Sequence, residues 1–151
     1  MNWFLDLLHN PFLLTVVIAW TSAQTLKVFT YAIVCKQFSI KRFFGDGGMP
    51  SAHTATVSSL ATFTGMAYGF SSFEFAICAI LTLIVCRDAV GVRMETGKQA
   101  QIINELRSVI ESKDTIEIKL KEFVGHTPLQ VIIGLLLGVA VGAVVSLVIK
   151  M

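Results

Sequence analysis

The sequence predicts an all-α integral membrane bundle of about four transmembrane helices, with short amphipathic helices in one charged loop. Three observations carry that expectation. Hydrophobic residues fill 54% of the 151 positions, and charged residues only 15%, where about 25% is usual for soluble domains. Apolar runs of bilayer-crossing length recur along the chain. The basic residues gather in two of the intervening loops. This composition excludes a disordered chain, a basic nucleic-acid-binding domain and an ordinary soluble enzyme, and the length sets one domain, 1–151.

The first span is read at 11–35, interrupted by a polar patch at Thr21, Ser22, Gln24 and Lys27. Residues 1–10 contain no Lys or Arg, so they lack the basic segment of a secretory signal. The second span, 50–70, is weakly apolar and rich in Ser, Thr, Ala and Gly. The third, 73–92, follows a tight turn at Ser71 and Ser72 and carries Arg87 and Asp88 near its end. The fourth, 129–149, has 21 residues and no charge. Its Gly134, Gly138 and Gly142, four apart, allow close helix packing, either within one chain or across a homodimer.

The loop 93–128 is expected to be helical rather than a linker. Ile102, Ile103, Leu106, Val109 and Ile110 recur at helical spacing with charges between them. A further short helix, capped by Asp114 or Thr115, would hold Ile116, Leu120, Phe123 and Val124 and stop at Gly125. Lys36, Lys41 and Arg42 lie in the first long loop. Arg93, Lys98, Arg107, Lys113, Lys119 and Lys121 lie in the second. Only Lys150 falls on the other side, so both long loops are expected in the cytoplasm, with the protein in the cell membrane. Cys35, Cys78 and Cys86 lie in apolar stretches without metal-ligand spacing and read as small buried hydrophobes.

Three constellations carry chemistry. In Gly47-Gly48-Met49-Pro50-Ser51-Ala52-His53, glycines permit a tight turn and Pro50 suits a first helical position. The N–H groups of Ser51, Ala52 and His53 would then lack intrahelical partners and offer an anion site beside a titratable histidine. Gly125-His126-Thr127-Pro128 repeats the pattern, with Thr127 as cap. Spans two and four enter from the same side, so His53 and His126 are expected to converge at one depth. The third is Arg87-Asp88-Ala89-Val90-Gly91-Val92-Arg93 with Lys98 and Gln99. On one continuous helix, Arg87 and Lys98 would share a face, as would Asp88, Glu95 and Gln99. Lys27 either reaches for the headgroups or points into the bundle.

These segments resemble the divergent branch of the type 2 phosphatidic acid phosphatase (PAP2) superfamily, related to acid phosphatases and vanadium-dependent haloperoxidases. The resemblance rests on GGMPSAHTA at 47–55, DAVGVRMETGKQA at 88–100 and GHTPLQV at 125–131. Pro50-Ser51-Ala52-His53 is similar to the superfamily's Pro-Ser-Gly-His, with Ala52 in place of Gly. His126 resembles the nucleophilic histidine, with Gln130 where the superfamily has Asp and Leu120 where it has Arg. Lys36 and Arg42 resemble the first motif at one residue shorter spacing, with Phe43 in place of Pro, and Lys27 is an alternative lysine.

The resemblance implies a membrane-embedded, metal-independent phosphatase acting on a lipid phosphate, without cofactor. His126 would form a phosphohistidine and His53 would protonate the leaving alkoxide. Arg42, Ser51, Ala52 and Arg93 would hold the phosphoryl oxygens, with Lys27 and Lys98 as further phosphate ligands. Gln130 would orient His126, and Asp88, Asp46 or Glu122 could supply the missing carboxylate. The departures leave a second reading open: a non-catalytic membrane protein that binds phosphorylated lipid, or a partner through residues 94–124.

Overall fold

The computed structural model describes residues 2–45, 47–110, 120 and 125–149. Among these residues six α-helices follow in order: α1 (Trp3–Leu8), α2 (Pro11–Cys35), α3 (Ala52–Tyr68), α4 (Phe73–Val90), α5 (Val92–Ile110) and α6 (Pro128–Ile149). A 3-10 turn, Ile40–Phe44, precedes α3. The described residues are helix, turn and loop throughout, as the sequence predicts.

Local chemistry sets the helix starts. The Asn10 side chain accepts from the N–H groups of Phe12 (2.9 Å) and Leu13 (3.3 Å), with Pro11 at the first helical position of α2. Ser72 caps α4 by accepting from Phe75 N–H at 3.2 Å. Thr127 Oγ1 accepts from Gln130 N–H at 3.4 Å, with Pro128 opening α6 as expected. Pro50 departs from expectation. Ser51 is the cap of α3, so Pro50 stands before the helix, joined to Met49 by a cis peptide bond.

The packing is inverted relative to a soluble protein. Thr15, Gln24, Lys27, Ser58, Ser59, Thr64 and Thr82 are buried, whereas Leu14, Val17, Phe29, Ile33, Ile80, Leu83, Ile132, Leu136 and Val148 are exposed. Lipid rewards that arrangement, because it offers apolar side chains a solvent and polar groups none. Ser58 Oγ donates to Leu135 O of α6 at 3.3 Å, and Thr82 Oγ1 donates to Val57 O of α3 at 3.2 Å.

Helix α3 sits at the centre, packed against α6 most extensively and against α2 and α4. It is 17 residues long, roughly 26 Å at 1.5 Å per residue. Four spans are expected from the sequence. Among the described residues, three helical runs are long and apolar enough to cross a membrane: Pro11–Cys35, Phe73–Arg107 and Pro128–Ile149. The expected second span falls short because α3 is walled in by its neighbours and needs small residues rather than a lipid-facing apolar surface.

The glycine stripe has an intramolecular partner. A Cβ at Gly134 would lie 2.5 Å from Ser51 O, and one at Gly142 2.6 Å from Ser59 O. At Gly138 it would collide with Ser58 Oγ and the Ala55 carbonyl. All three glycines are buried against α3, the packing within one chain that their spacing allows. The helical spacing read in loop 93–128 appears as α5, and the further helix expected after it lies outside the described residues apart from Leu120. Asn104 of α5 holds Leu120 by two main-chain hydrogen bonds, donating to its O at 2.9 Å and accepting from its N–H at 3.0 Å. All three cysteines are free, and Cys35 is exposed at the end of α2 rather than buried.

Candidate functional site

The ends of α2 and α4 and the starts of α3 and α6 meet at one pole of the bundle. Two bonds fix that meeting. Ser51 N–H donates to Gln130 O at 3.1 Å, tying the start of α3 to the first turn of α6. His126 N–H donates to Ala89 O at 3.1 Å, tying the loop before α6 to the end of α4. Gly47 and Gly48 adopt φ of 76° and 85°, and Gly125 adopts 95°, the left-handed region that favours glycine. At Gly125 a side chain would also meet Arg93 and Met94 main-chain atoms at 2.5–2.7 Å, so glycine alone fits there.

A polar cavity of about 190 Å³ opens at this pole, lined by Trp20, Gln24, Lys27, Ala52, His53 and His126 with Phe44, Gly45 and Gly47. The two histidines expected to converge therefore share one cavity. His126 is 6% exposed and Lys27 4% exposed. Lys27 points into the bundle, its Nζ donating to Gly45 O at 3.3 Å. Of the two lysines the sequence offered, Lys36 ends α2 as an exposed left-handed cap and Lys27 lines the cavity.

Gln130 determines the state of His126. Its Oε1 accepts from Thr127 N–H at 3.1 Å, and a backbone N–H can only donate, which identifies that atom as oxygen. The same Oε1 lies 3.2 Å from His126 Nδ1, where it accepts a proton carried on that nitrogen; in that tautomer the lone pair rests on Nε2. Burial pushes the His126 pKa below its usual value, and the charges of Lys27 and His53 push the same way. The Gln130 hydrogen bond and the Gly48 backbone oppose this without reversing it. His126 is a neutral, oriented imidazole at neutral pH.

Other expected site residues sit apart from the cavity or take different parts. Ser51 is fully buried, with its N–H taken by Gln130 O and its Oγ accepting from Thr54 N–H and Oγ1, so its main-chain donor is not available to a phosphoryl oxygen. Asp88 pairs with Arg93 at 2.6 Å and, with Arg87, lines a separate outer groove of about 560 Å³. The helix break at Gly91 permits this pairing of residues five apart and ends the continuous face expected for Asp88, Glu95 and Gln99. Lys98 pairs with Glu95 at 2.7 Å and lines a cleft of about 350 Å³, which His126 and Gln130 also line. Arg42 lies in the 3-10 turn, with its side chain outside the described atoms, and Asp46 and Glu122 lie outside the described residues.

Sequence reasoning passed over Gln24 as a cavity residue. Its signal was the polar patch it forms with Thr21, Ser22 and Lys27 inside an apolar span. It also gave no sign of the neighbouring apolar groove of about 290 Å³, lined by Tyr31, Val34, Cys35 and Met49 and sharing Lys27 and Gln130 with the site.

No solved structure matches the chain. A relative from Bacillus subtilis (strain 168), named as an uncharacterized membrane protein, YuiD, is 37% identical over 154 residues. The match covers 94% of this chain and 98% of the relative. The family model described as the Divergent PAP2 family matches residues 8–141, a stretch that contains both histidines, their capped helix starts and Lys27. An inverted, apolar-faced bundle with that match over most of its length is a membrane protein, and it belongs to the divergent PAP2 family.

Proposed function

We propose that this protein is a metal-independent phosphatase of the membrane that acts on a lipid phosphate through a phosphohistidine at His126. The observation that carries the reading is His126 itself: a buried imidazole with Nδ1 facing Gln130 Oε1, in one cavity with His53 and Lys27. Nε2 attacks phosphorus while the bond from phosphorus to the lipid oxygen breaks, and His53 gives its proton to that oxygen. Water then attacks the phosphohistidine, returns a proton to His53, and inorganic phosphate leaves. The Lys27 ammonium and the start of α3 at Ala52 and His53 offset the charge that develops on the phosphoryl oxygens. The apolar groove beside the cavity supports a lipid substrate, since a chain seated there places its phosphate next to Lys27.

The basic loops support an orientation with this pole in the cytoplasm and the protein in the cell membrane. Phosphate release by the detergent-purified protein, from a panel of phosphatidate, isoprenyl and sphingoid phosphates, tests the activity. Release should fall to background in a His53→Ala, His126→Ala double variant. A wild type no faster than that variant overturns the reading. A second reading, binding of phosphorylated lipid without turnover, is favoured by one observation: a neutral amide, not a carboxylate, holds His126. A trapped phosphohistidine would eliminate it.

A further inference from the structure

The catalytic reading uses Lys27, His53 and His126 and leaves one buried group of the cavity unexplained. Gln24 lies one helical turn before Lys27 on α2, is 6% exposed and lines the cavity. Its Oε1 is buried with no hydrogen-bond partner among the described residues. A buried acceptor without a donor is unfavourable, and such a group in a polar cavity calls for a donor from whatever fills the site. Two other polar side chains of the cavity are of the opposite kind. Lys27 and a protonated His53 only donate, and both suit oxygens of an anion.

We propose that Gln24 is a specificity residue that accepts a hydrogen bond from a proton carried by the bound phosphoryl group, so that the site selects protonated phosphate over anions bearing no proton. This deepens the phosphatase reading and rests on the cavity being a phosphate site. Inorganic phosphate keeps at least one P–OH throughout the neutral range. Sulfate has the same shape and carries none, so it satisfies Lys27 while leaving Gln24 unmet. A monoester holds its last proton only to about pH 6. The substrate form recognised is therefore the monoanion, and the same proton is available when inorganic phosphate is the product.

The test is calorimetric titration of the detergent-purified wild type with inorganic phosphate and, separately, with sulfate at pH 7. One hydrogen bond to a charged ligand corresponds to about tenfold in affinity. Phosphate is expected to bind at least about tenfold tighter than sulfate. Gln24→Leu and the more conservative Gln24→Met should each bring the two anions within about twofold of one another, through weaker phosphate binding. A wild type that binds sulfate as well as phosphate, or binds neither, overturns the proposal, as does a folded variant that keeps the full preference. The phosphate-over-sulfate preference without phosphate release from any lipid overturns the catalytic reading and supports this one. Lipid phosphate turnover inhibited equally by both anions overturns this one alone.

Discussion

Gln130 holds the His126 ring with a neutral amide. Thr127 N–H fixes its oxygen, and that oxygen faces His126 Nδ1 at 3.2 Å. A carboxylate would do the same and also favour the charged imidazole; the amide leaves burial as the stronger influence, and His126 stays neutral. The consequence for stability has a definite sign. The folded pKa lies below the usual 6.5, so the unfolded chain takes up its proton first as pH falls. Stability from this residue is fully present above pH 6.5 and is lost as pH drops through the folded value. Each tenfold difference in proton affinity between the two states is worth about 1.4 kcal/mol. Thermal unfolding in detergent from pH 8 to pH 5 should show that loss in the wild type and a flatter profile in His126→Gln. Parallel profiles would count against a buried neutral histidine.

At the scale of elements, α3 and α6 form the main packing unit, and glycine lets them touch. Two effects oppose each other at Gly138. Alanine is favoured over glycine in a helix by about 1 kcal/mol. A Cβ at Gly138 would collide with Ser58 Oγ and the Ala55 carbonyl, and overpacking of that kind costs about 1–3 kcal/mol. The collision involves main chain on a helix held by three neighbours, so it should win. Gly138→Ala is expected to lower stability by about 1–2 kcal/mol in reversible unfolding in detergent. An unchanged or raised stability would show that the helices can separate without cost. The four-residue glycine spacing was legible in the sequence, but its partner was not. The motif states how closely a helix can approach, and only tertiary packing says which helix arrives.

The same division runs through the whole molecule. The meeting of His53 and His126 was legible, because Pro-flanked starts on two helices running in the same direction must lie at the same pole. Whether Lys27 reaches for the headgroups or points into the bundle was not, since that depends on where α2 ends relative to the cavity. The Asp88–Arg93 pair was hidden by the assumption of an unbroken helix, which Gly91 interrupts. The four-span count blurred at α3, because a helix buried by its neighbours has the composition of an interior, not of a lipid face. Orientation is open to a direct measurement. Cys35 is exposed at the pole that holds the site. In a Cys78→Ser, Cys86→Ser background, a membrane-impermeant maleimide should label Cys35 in inverted vesicles and leave it unlabelled in intact cells. Labelling of intact cells would reverse the proposed topology.

Gln130 joins these scales. Its carbonyl ties the start of α3 to α6, and its side chain holds the His126 ring. Helix α6 is one of the runs long and apolar enough to span a bilayer, and a bilayer that does not match such a run tilts it. That tilt enters the site through the same residue that sets the imidazole. Membrane thickness would thereby act on ring alignment, and the acyl length of the surrounding lipid would tune the site from outside the cavity altogether.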